Sequence, residues 1–209
     1  MKDSRIWDFW ANRYERLWVQ KYSLSPTRKR IISRLRQLIT DKSRSYRILD
    51  SGCGTGQLLR DIREEFREFD VELTGIDYSD RMIAEAAGRG GNIRYAVSDI
   101  EEFRGSEKAY DIIVCSHSFP YYRNKQGVIE SFCSMLKDNG CLILAQASQN
   151  NLYDSLVMPF VKLTTSKAAY PSVREVMKML EPHFGRIELD RIKERFYMPS
   201  IYMFTGFKL

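Results

Sequence analysis

Three glycines at alternate positions, Gly52, Gly54 and Gly56, stand between the acid Asp50 and a helical pattern that opens at Gln57. Glycine turns through backbone conformations closed to other residues and lets a ligand come close where a Cβ would collide. A helix opening directly behind such a loop offers free N–H groups and a partial positive charge. The backbone of Gly52, Cys53, Gly54 and Gly56 is therefore the first candidate ligand surface. Twenty-one residues beyond Gly56, Asp77 closes the apolar run Val71 to Asp77. A carboxylate there can accept hydrogen bonds from both hydroxyls of a ribose, each charge-assisted bond being worth about 1.5–3 kcal/mol. That much fits any adenosine-bearing ligand. A further acid in Ser98-Asp99-Ile100 follows the next apolar run, where it can accept from an adenine amino group. A dinucleotide fingerprint, G-x-G-x-x-G, would put its third glycine at the position of Gln57.

A second group of residues follows the run Tyr110 to Ser116: Ser116-His117-Ser118-Phe119-Pro120-Tyr121-Tyr122. His117 is one of two histidines, and imidazole is the side chain that titrates nearest neutrality. It is the candidate general base beside an acceptor; a histidine that only packs or hydrogen-bonds at a strand end is the alternative, and both stay open. Tyr121, Tyr122, Tyr153, Met158, Phe160, Tyr197 and Met198 are candidates for an apolar acceptor pocket with hydroxyl handles, although such residues are equally ordinary core. His183, ahead of Phe184-Gly185, reads as a capping residue at a helix-to-strand turn.

These residues need a scaffold, and the periodicity supplies an α/β alternation behind a helical prelude. Ile6, Trp7, Phe9, Trp10, Tyr14, Leu17 and Trp18 recur at helical spacing over residues 4–20. A second helix runs from Pro26 to about Ile39, with Ser25 as its N-cap. Strands are expected at 47–50, 71–77, 93–97, 110–116 and 141–147, and helices at 56–69, 80–89, 125–137 and 172–181. Asn139-Gly140 reads as the stop signal of the 125–137 helix. The runs 187–192 and 200–209 read as a terminal β-hairpin. Short strands alternating with helices imply parallel βαβ units covered on both faces, hence a doubly wound three-layer sandwich. Ligands of such sheets bind beyond the carboxyl ends of the strands at the switch point of strand order, so the loops after Asp50, Asp77, Val97 and Ser116 are the ones that matter.

The chain reads as one domain of 209 residues: an N-terminal helical cap (1–45), a ligand-binding core (46–149), and a lid segment with the terminal hairpin (150–209). Hydrophobic and charged shares of 44% and 29% exclude disordered and low-complexity classes. No apolar run approaches the roughly 20 residues of a membrane span, and the charged N-terminus lacks a signal-peptide core, so a cytoplasmic protein is expected. Four cysteines without C-x-x-C spacing or paired histidines speak against a metal site. The net charge of +6 sits in residues 1–47, which hold 13 Lys and Arg against 4 acids. On a helix carrying Ile31, Ile32, Leu35, Leu38 and Ile39, the charges Arg28, Lys29, Arg30, Arg34 and Arg36 fall mostly on a solvated face, which weakens a nucleic-acid reading without removing it.

On these motifs the sequence resembles the class I S-adenosylmethionine-dependent methyltransferases. The family's loop, a hydrophobic run followed by D/E-x-G-x-G-x-G, is matched by Ile48-Leu49-Asp50-Ser51-Gly52-Cys53-Gly54-Thr55-Gly56, and its second acid by Gly75-Ile76-Asp77-Tyr78-Ser79. The third motif is Asp99 with Ile100. The resemblance implies a Rossmann-like sheet of seven strands whose last strand is antiparallel, with S-adenosylmethionine as cofactor. It assigns cofactor contacts to Tyr14, Asp50, Gly52, Cys53, Gly54, Gly56, Asp77, Tyr78, Met82, Asp99, Ile100 and Ser116, Met82 packing near the adenine and Asp50 orienting the loop or holding the methionine moiety. For Tyr14 and Trp10, a core role and a ring near the sulfonium stay open. Trp7, Asp8, Ala11 and Tyr14 are similar to the opening of small-molecule methyltransferases of the ubiquinone-biosynthesis and type-11 group. The segment after Ser116 lacks the N/D-P-P-Y/F of enzymes that methylate base amines, and Cys115 lies inside a strand rather than in a loop as a cytosine-C5 nucleophile requires. The expected activity is transfer to a small molecule. The alternatives are an RNA or protein methyltransferase docking through the basic helices, a cofactor-binding regulator without turnover and, more remotely, a nicotinamide dehydrogenase.

Overall fold

A computed structural model describes residues 24–103, 105–148, 168–192 and 200–208. The expected 4–20 helix, the 150–167 part of the lid and the hairpin connection 193–199 lie outside the described residues, as do Trp10, Tyr14, Tyr153, Met158, Phe160, Tyr197 and Met198.

The elements in chain order are α1 (Ser25–Leu38), β1 (Tyr46–Ser51), α2 (Gln57–Glu65), β2 (Val71–Asp77), α3 (Asp80–Gly88), β3 (Arg94–Val97), β4 (Tyr110–Ser116), a 3₁₀ turn (Phe119–Tyr121), α4 (Lys125–Met135), β5 (Leu136–Ala147), α5 (Val173–Leu180), β6 (Arg186–Ile192) and β7 (Ile201–Phe207). One seven-stranded sheet has the order β3-β2-β1-β4-β5-β7-β6. β1 to β5 pair in parallel, while β7 runs antiparallel to β5 on one side and to β6 on the other. The Rossmann-like sheet with its antiparallel last strand and the terminal hairpin pairing are as expected.

β1 and β4 lie in the middle of the sheet, which is why Ile48, Leu49, Ile112, Ile113 and Val114 form near-continuous apolar runs. One face carries Ile48, Val114, Ile143 and Met203 against Ile31 and Leu35 of α1 and Leu59 and Ile62 of α2; the other carries Leu49, Ile113, Leu144 and Phe204 against α4 and α5. Chain order reverses direction across β1 and β4, since β1 continues outward to β2 and β3 while β4 opens the other half. The switch point lies at their carboxyl ends.

Two local expectations are corrected. α1 starts at Ser25 with Leu24 as its flank and has no side-chain cap, because Leu24 is already helical (φ −72°, ψ −43°) and Pro26 needs no N–H partner in the first turn. α4 stops at Met135, not at the Asn139-Gly140 signal. Leu136 is fully buried and pairs with Tyr110, whereas the next pair is Ile112 with Cys141, so Asn139 (φ +64°) and Gly140 form a bulge inside β5. The core demand of Leu136 outweighs the turn chemistry.

Candidate functional site

The glycine loop leaves the end of β1 at the middle of the sheet. Gly52, Gly54 and Gly56 have φ of +76°, +52° and +72°. A Cβ on Gly56 would stand 2.3 Å from Tyr95 Oη and one on Gly52 2.3 Å from Ser118 Cβ, whereas one on Gly54 would meet nothing within 4 Å. Gly52 and Gly56 thus serve the protein's own packing, and open space lies over Gly54. The N–H groups of Gly52 and Cys53 both donate to Ile76 O, at 2.8 and 3.0 Å, which ties the loop to β2. Cys53 itself turns inward: its Sγ packs beside Gly75 and reaches Gly54 O at 3.7 Å, and burial pushes the thiol well up.

Asp77 ends β2 one strand away. Its Oδ2 accepts from Gly54 N at 2.9 Å and its Oδ1 from Ser79 N at 3.0 Å, while Ser79 caps α3 through Met82 N. The carboxylate is therefore held by the loop and the helix together. Asp99, after the adjacent β3, accepts from Glu101 N at 3.1 Å, with Ile100 buried beside it. Met82 is buried in α3, and Tyr78 is half-buried between Asp77 and that helix. Asp50, Asp77, Asp99 and Ser116 thus belong to the carboxyl ends of four neighbouring strands.

Asp50 differs from the other acids. It is 2% exposed, and its Oδ1 has no hydrogen-bond partner. Burial, with the charge of Asp77 adding to it, raises its pKa to about 7. A buried, orphaned carboxyl oxygen is costly by about 1–3 kcal/mol or more. Placed directly before an open glycine loop, it fits a ligand that brings a donor or a positive charge.

The segment expected to border an acceptor begins at Ser116, half-buried at the end of β4. His117 N still donates to Ala145 O at 2.7 Å, but φ of +60° then turns the chain out of the strand. The ring Nε2 lies 3.0 Å from Oγ1 of Thr27, a fully buried residue of α1. Burial, followed by the charge of Arg28, lowers the His117 pKa to about 4, so the ring is neutral at pH 7 and as weak a base as a carboxylate. Tyr122 does not face a pocket. It is buried with its hydroxyl 3.1 Å from Ser51 Oγ, beneath the glycine loop. Tyr121 is half-buried in the 3₁₀ turn. His183 N donates to Leu180 O at 2.9 Å behind α5, as a helix-end residue should.

No cluster of residues able to hold a metal ion occurs among the described residues, and no helix among them is long and apolar enough to cross a membrane. Sequence reasoning missed Thr27, Ser51 and Ser118 as parts of this site. Ser51 fills a variable position of the loop motif, Ser118 lies in the segment after β4 without a role of its own, and Thr27 stands in no motif.

Comparison with known proteins bears on this constellation. Residues 42–194 match the model of a family described as a methyltransferase domain. The chain belongs to that family. It is 26% identical to a malonyl-[acyl-carrier protein] O-methyltransferase 2 of Ilyobacter polytropus over 80% of this chain and 67% of the relative. A putative methyltransferase of Bacillus subtilis is 34% identical over 46% of this chain and 40% of its own. The chain spans half or less of several other such relatives, 37% of the one from Bacillus cereus for example. In fold it is similar to magnesium protoporphyrin IX methyltransferase from Synechocystis PCC 6803 with bound SAH, at TM-score 0.74 and 18% identity over 99% of both chains. It is also similar to a putative methyltransferase solved in complex with the Haloferax volcanii Trm112 activator, at TM-score 0.78 and 15% identity over 97% of both. The family is that of class I methyltransferases, and the cofactor is S-adenosylmethionine. The open space over Gly54 and the orphaned Asp50 oxygen fit that molecule, which carries an ammonium group and a sulfonium.

Proposed function

We propose that this chain methylates a small molecule whose accepting atom carries an available lone pair at neutral pH, a carboxylate oxygen being the class that the names of its relatives favour. The observation that carries this reading is His117: it follows the carboxyl end of β4 with its pKa lowered to about 4 and its Nε2 engaged by Thr27. An acceptor that still held its proton would need a stronger base than that ring. When bound, S-adenosylmethionine supplies a methyl carbon on a sulfonium, from which the acceptor's lone pair displaces a neutral thioether in line.

The protein's contribution is then placement and exclusion of water. Asp77 takes the ribose hydroxyls, and Asp99 with Ile100 and Met82 the adenine. Tyr78 borders the sugar, Gly52 to Gly56 and Asp50 hold the amino-acid end, and Ser116 and His117 border the acceptor. Tyr14, outside the described residues, is proposed to contact the cofactor through its ring near the sulfonium. The chain is read as a single methyltransferase domain.

Docking of RNA through the basic helix loses support in α1. Arg28 pairs with Asp61 at 2.9 Å, Arg30 with Asp190 at 2.6 Å, Arg34 with Glu188 at 2.7 Å and Asp190 at 3.0 Å, and Arg36 with Glu65 at 2.7 Å. Those cations hold the helix to α2 and β6. Incubation of the protein with methyl-labelled S-adenosylmethionine and a panel of carboxylate, phenol, amine and thiol acceptors, with RNA as a separate arm, tests the proposal. Label transferred to carboxylates without base-dependent pH behaviour supports it. Label on RNA alone, or cofactor binding without transfer to any acceptor, would replace it with the docking or the regulator reading.

A further inference from the structure

We infer that Ser118 and Tyr122, in the turn after β4, are positioning residues for the amino-acid end of the cofactor, acting by fixing the Ser51-Gly52 peptide from below. The inference rests on the assignment of the glycine loop to that end of S-adenosylmethionine.

The turn is built to reach the loop. After the left-handed step at His117, Tyr121 N donates to Ser118 O at 3.0 Å and Tyr122 N to Phe119 O at 3.2 Å, which brings Tyr122 back beside Ser118. Lys125 Nζ then closes on Tyr122 O at 2.7 Å and Pro120 O at 3.3 Å. The hydroxyls form one ring of bonds. Ser118 Oγ donates to Ser51 O at 2.8 Å, Tyr122 Oη donates to Ser118 Oγ at 2.9 Å, and Ser51 Oγ at 3.1 Å completes the ring by donating to Tyr122 Oη. Cys115 Sγ, 3.2 Å from Ser118 Oγ, adds a weak fourth member. Each hydroxyl donates once, so the network is satisfied in an interior where Ser51 and Cys115 are fully buried.

Two features point beyond simple packing. A phenylalanine at 122 would fill the same space without the cost of burying a hydroxyl, so what the tyrosine adds is its bond to the Ser51 end of the loop. Gly52 has no room for a Cβ because Ser118 Cβ and Oγ would lie 2.3 and 2.6 Å from it. The turn is thus the floor on which Gly52 lies, and Ser51 O, which it holds, belongs to the peptide that opens the glycine loop. A loop released from that floor keeps the bonds of Gly52 N and Cys53 N to Ile76 O and of Gly54 N to Asp77, but loses the support on the carbonyl side of the Ser51-Gly52 peptide.

The test separates the two ends of the cofactor. S-Adenosylhomocysteine has the amino-acid tail, and 5′-methylthioadenosine has the nucleoside without it. Titration calorimetry of wild type, Tyr122→Phe and Ser118→Ala with both ligands is paired with thermal unfolding to verify that each variant is folded. Loss of one buried hydrogen bond to the loop is expected to weaken S-adenosylhomocysteine about five- to tenfold. Affinity for 5′-methylthioadenosine should stay within about twofold, a split that a merely structural role would not produce. Equal weakening of both ligands, or no change in either from folded variants, would overturn the inference while leaving the cofactor assignment intact. A wild type that binds neither ligand would overturn the assignment and the inference with it.

Discussion

Replacing Asp50 by Asn should change how stability depends on pH, with a size that follows from the structure. Asp50 is raised from 3.8 to about 7 by burial and by Asp77, so between those values the folded state holds a proton that the unfolded state releases. A carboxyl raised in this way is stabilising below the unfolded pKa and loses that contribution as pH rises through the folded one. At 1.36 kcal/mol per pKa unit, the linkage removes about 3 kcal/mol between pH 4.5 and 7.5. His117 works against it. Its pKa falls from 6.5 to about 4, so the unfolded state binds the extra proton, and the protein gains stability as pH rises through that window. In the wild type the two slopes nearly cancel from about pH 4.5 to 6.5, and the decline from Asp50 shows mainly above. Asp50→Asn keeps the shape and cannot ionise. Urea unfolding of both proteins at half-unit steps should show the variant gaining about 3 kcal/mol relative to wild type between pH 4.5 and 7.5, whatever its offset at pH 4.5. Parallel curves for the two proteins would refute an uncharged Asp50 in the cofactor-free state.

Gly56→Ala places a Cβ 2.3 Å from Tyr95 Oη at φ of +72°, and should cost about 2–4 kcal/mol from strain and displacement of the ring, read as a fall in Tm of several degrees and a lost calorimetric signal for S-adenosylhomocysteine. His117→Asn, a residue that tolerates the left-handed conformation, should leave the shape of the pH–rate profile unchanged between pH 6 and 8, since no titration of the wild-type ring falls there. A wild-type rate that drops tenfold per unit below pH 6.5, and a variant that loses the dependence, would make His117 the base.

Much of this was legible because it follows from periods and from glycines. Val71–Asp77 and Tyr110–Ser116 were bounded to the residue, since buried parallel strands read as apolar runs that stop at the polar ends where ligands sit. The pairing of Arg186–Ile192 with Ile201–Phe207 was legible from two β-rich runs, although neither run says that β7 inserts between β5 and β6. Non-local choices stayed hidden. Asn139-Gly140 has the chemistry of a helix stop, but burial of Leu136, three residues before Asn139, decided where α4 ends. Tyr122 has the composition of a pocket residue, and only three-dimensional adjacency to Ser51 turns it inward. The isolation of Asp50 is likewise a property of its surroundings; a strand-end acid looks the same in the sequence whether or not its oxygens find partners.

The central claim is that the glycine loop and the acid ending β2 form a socket for S-adenosylmethionine. Titration of the protein with S-adenosylhomocysteine beside Asp77→Ala tests it most directly. Loss of two charge-assisted bonds to the ribose predicts affinity weakened at least a hundredfold in a variant that still folds. Equal affinity for wild type and Asp77→Ala would contradict the account.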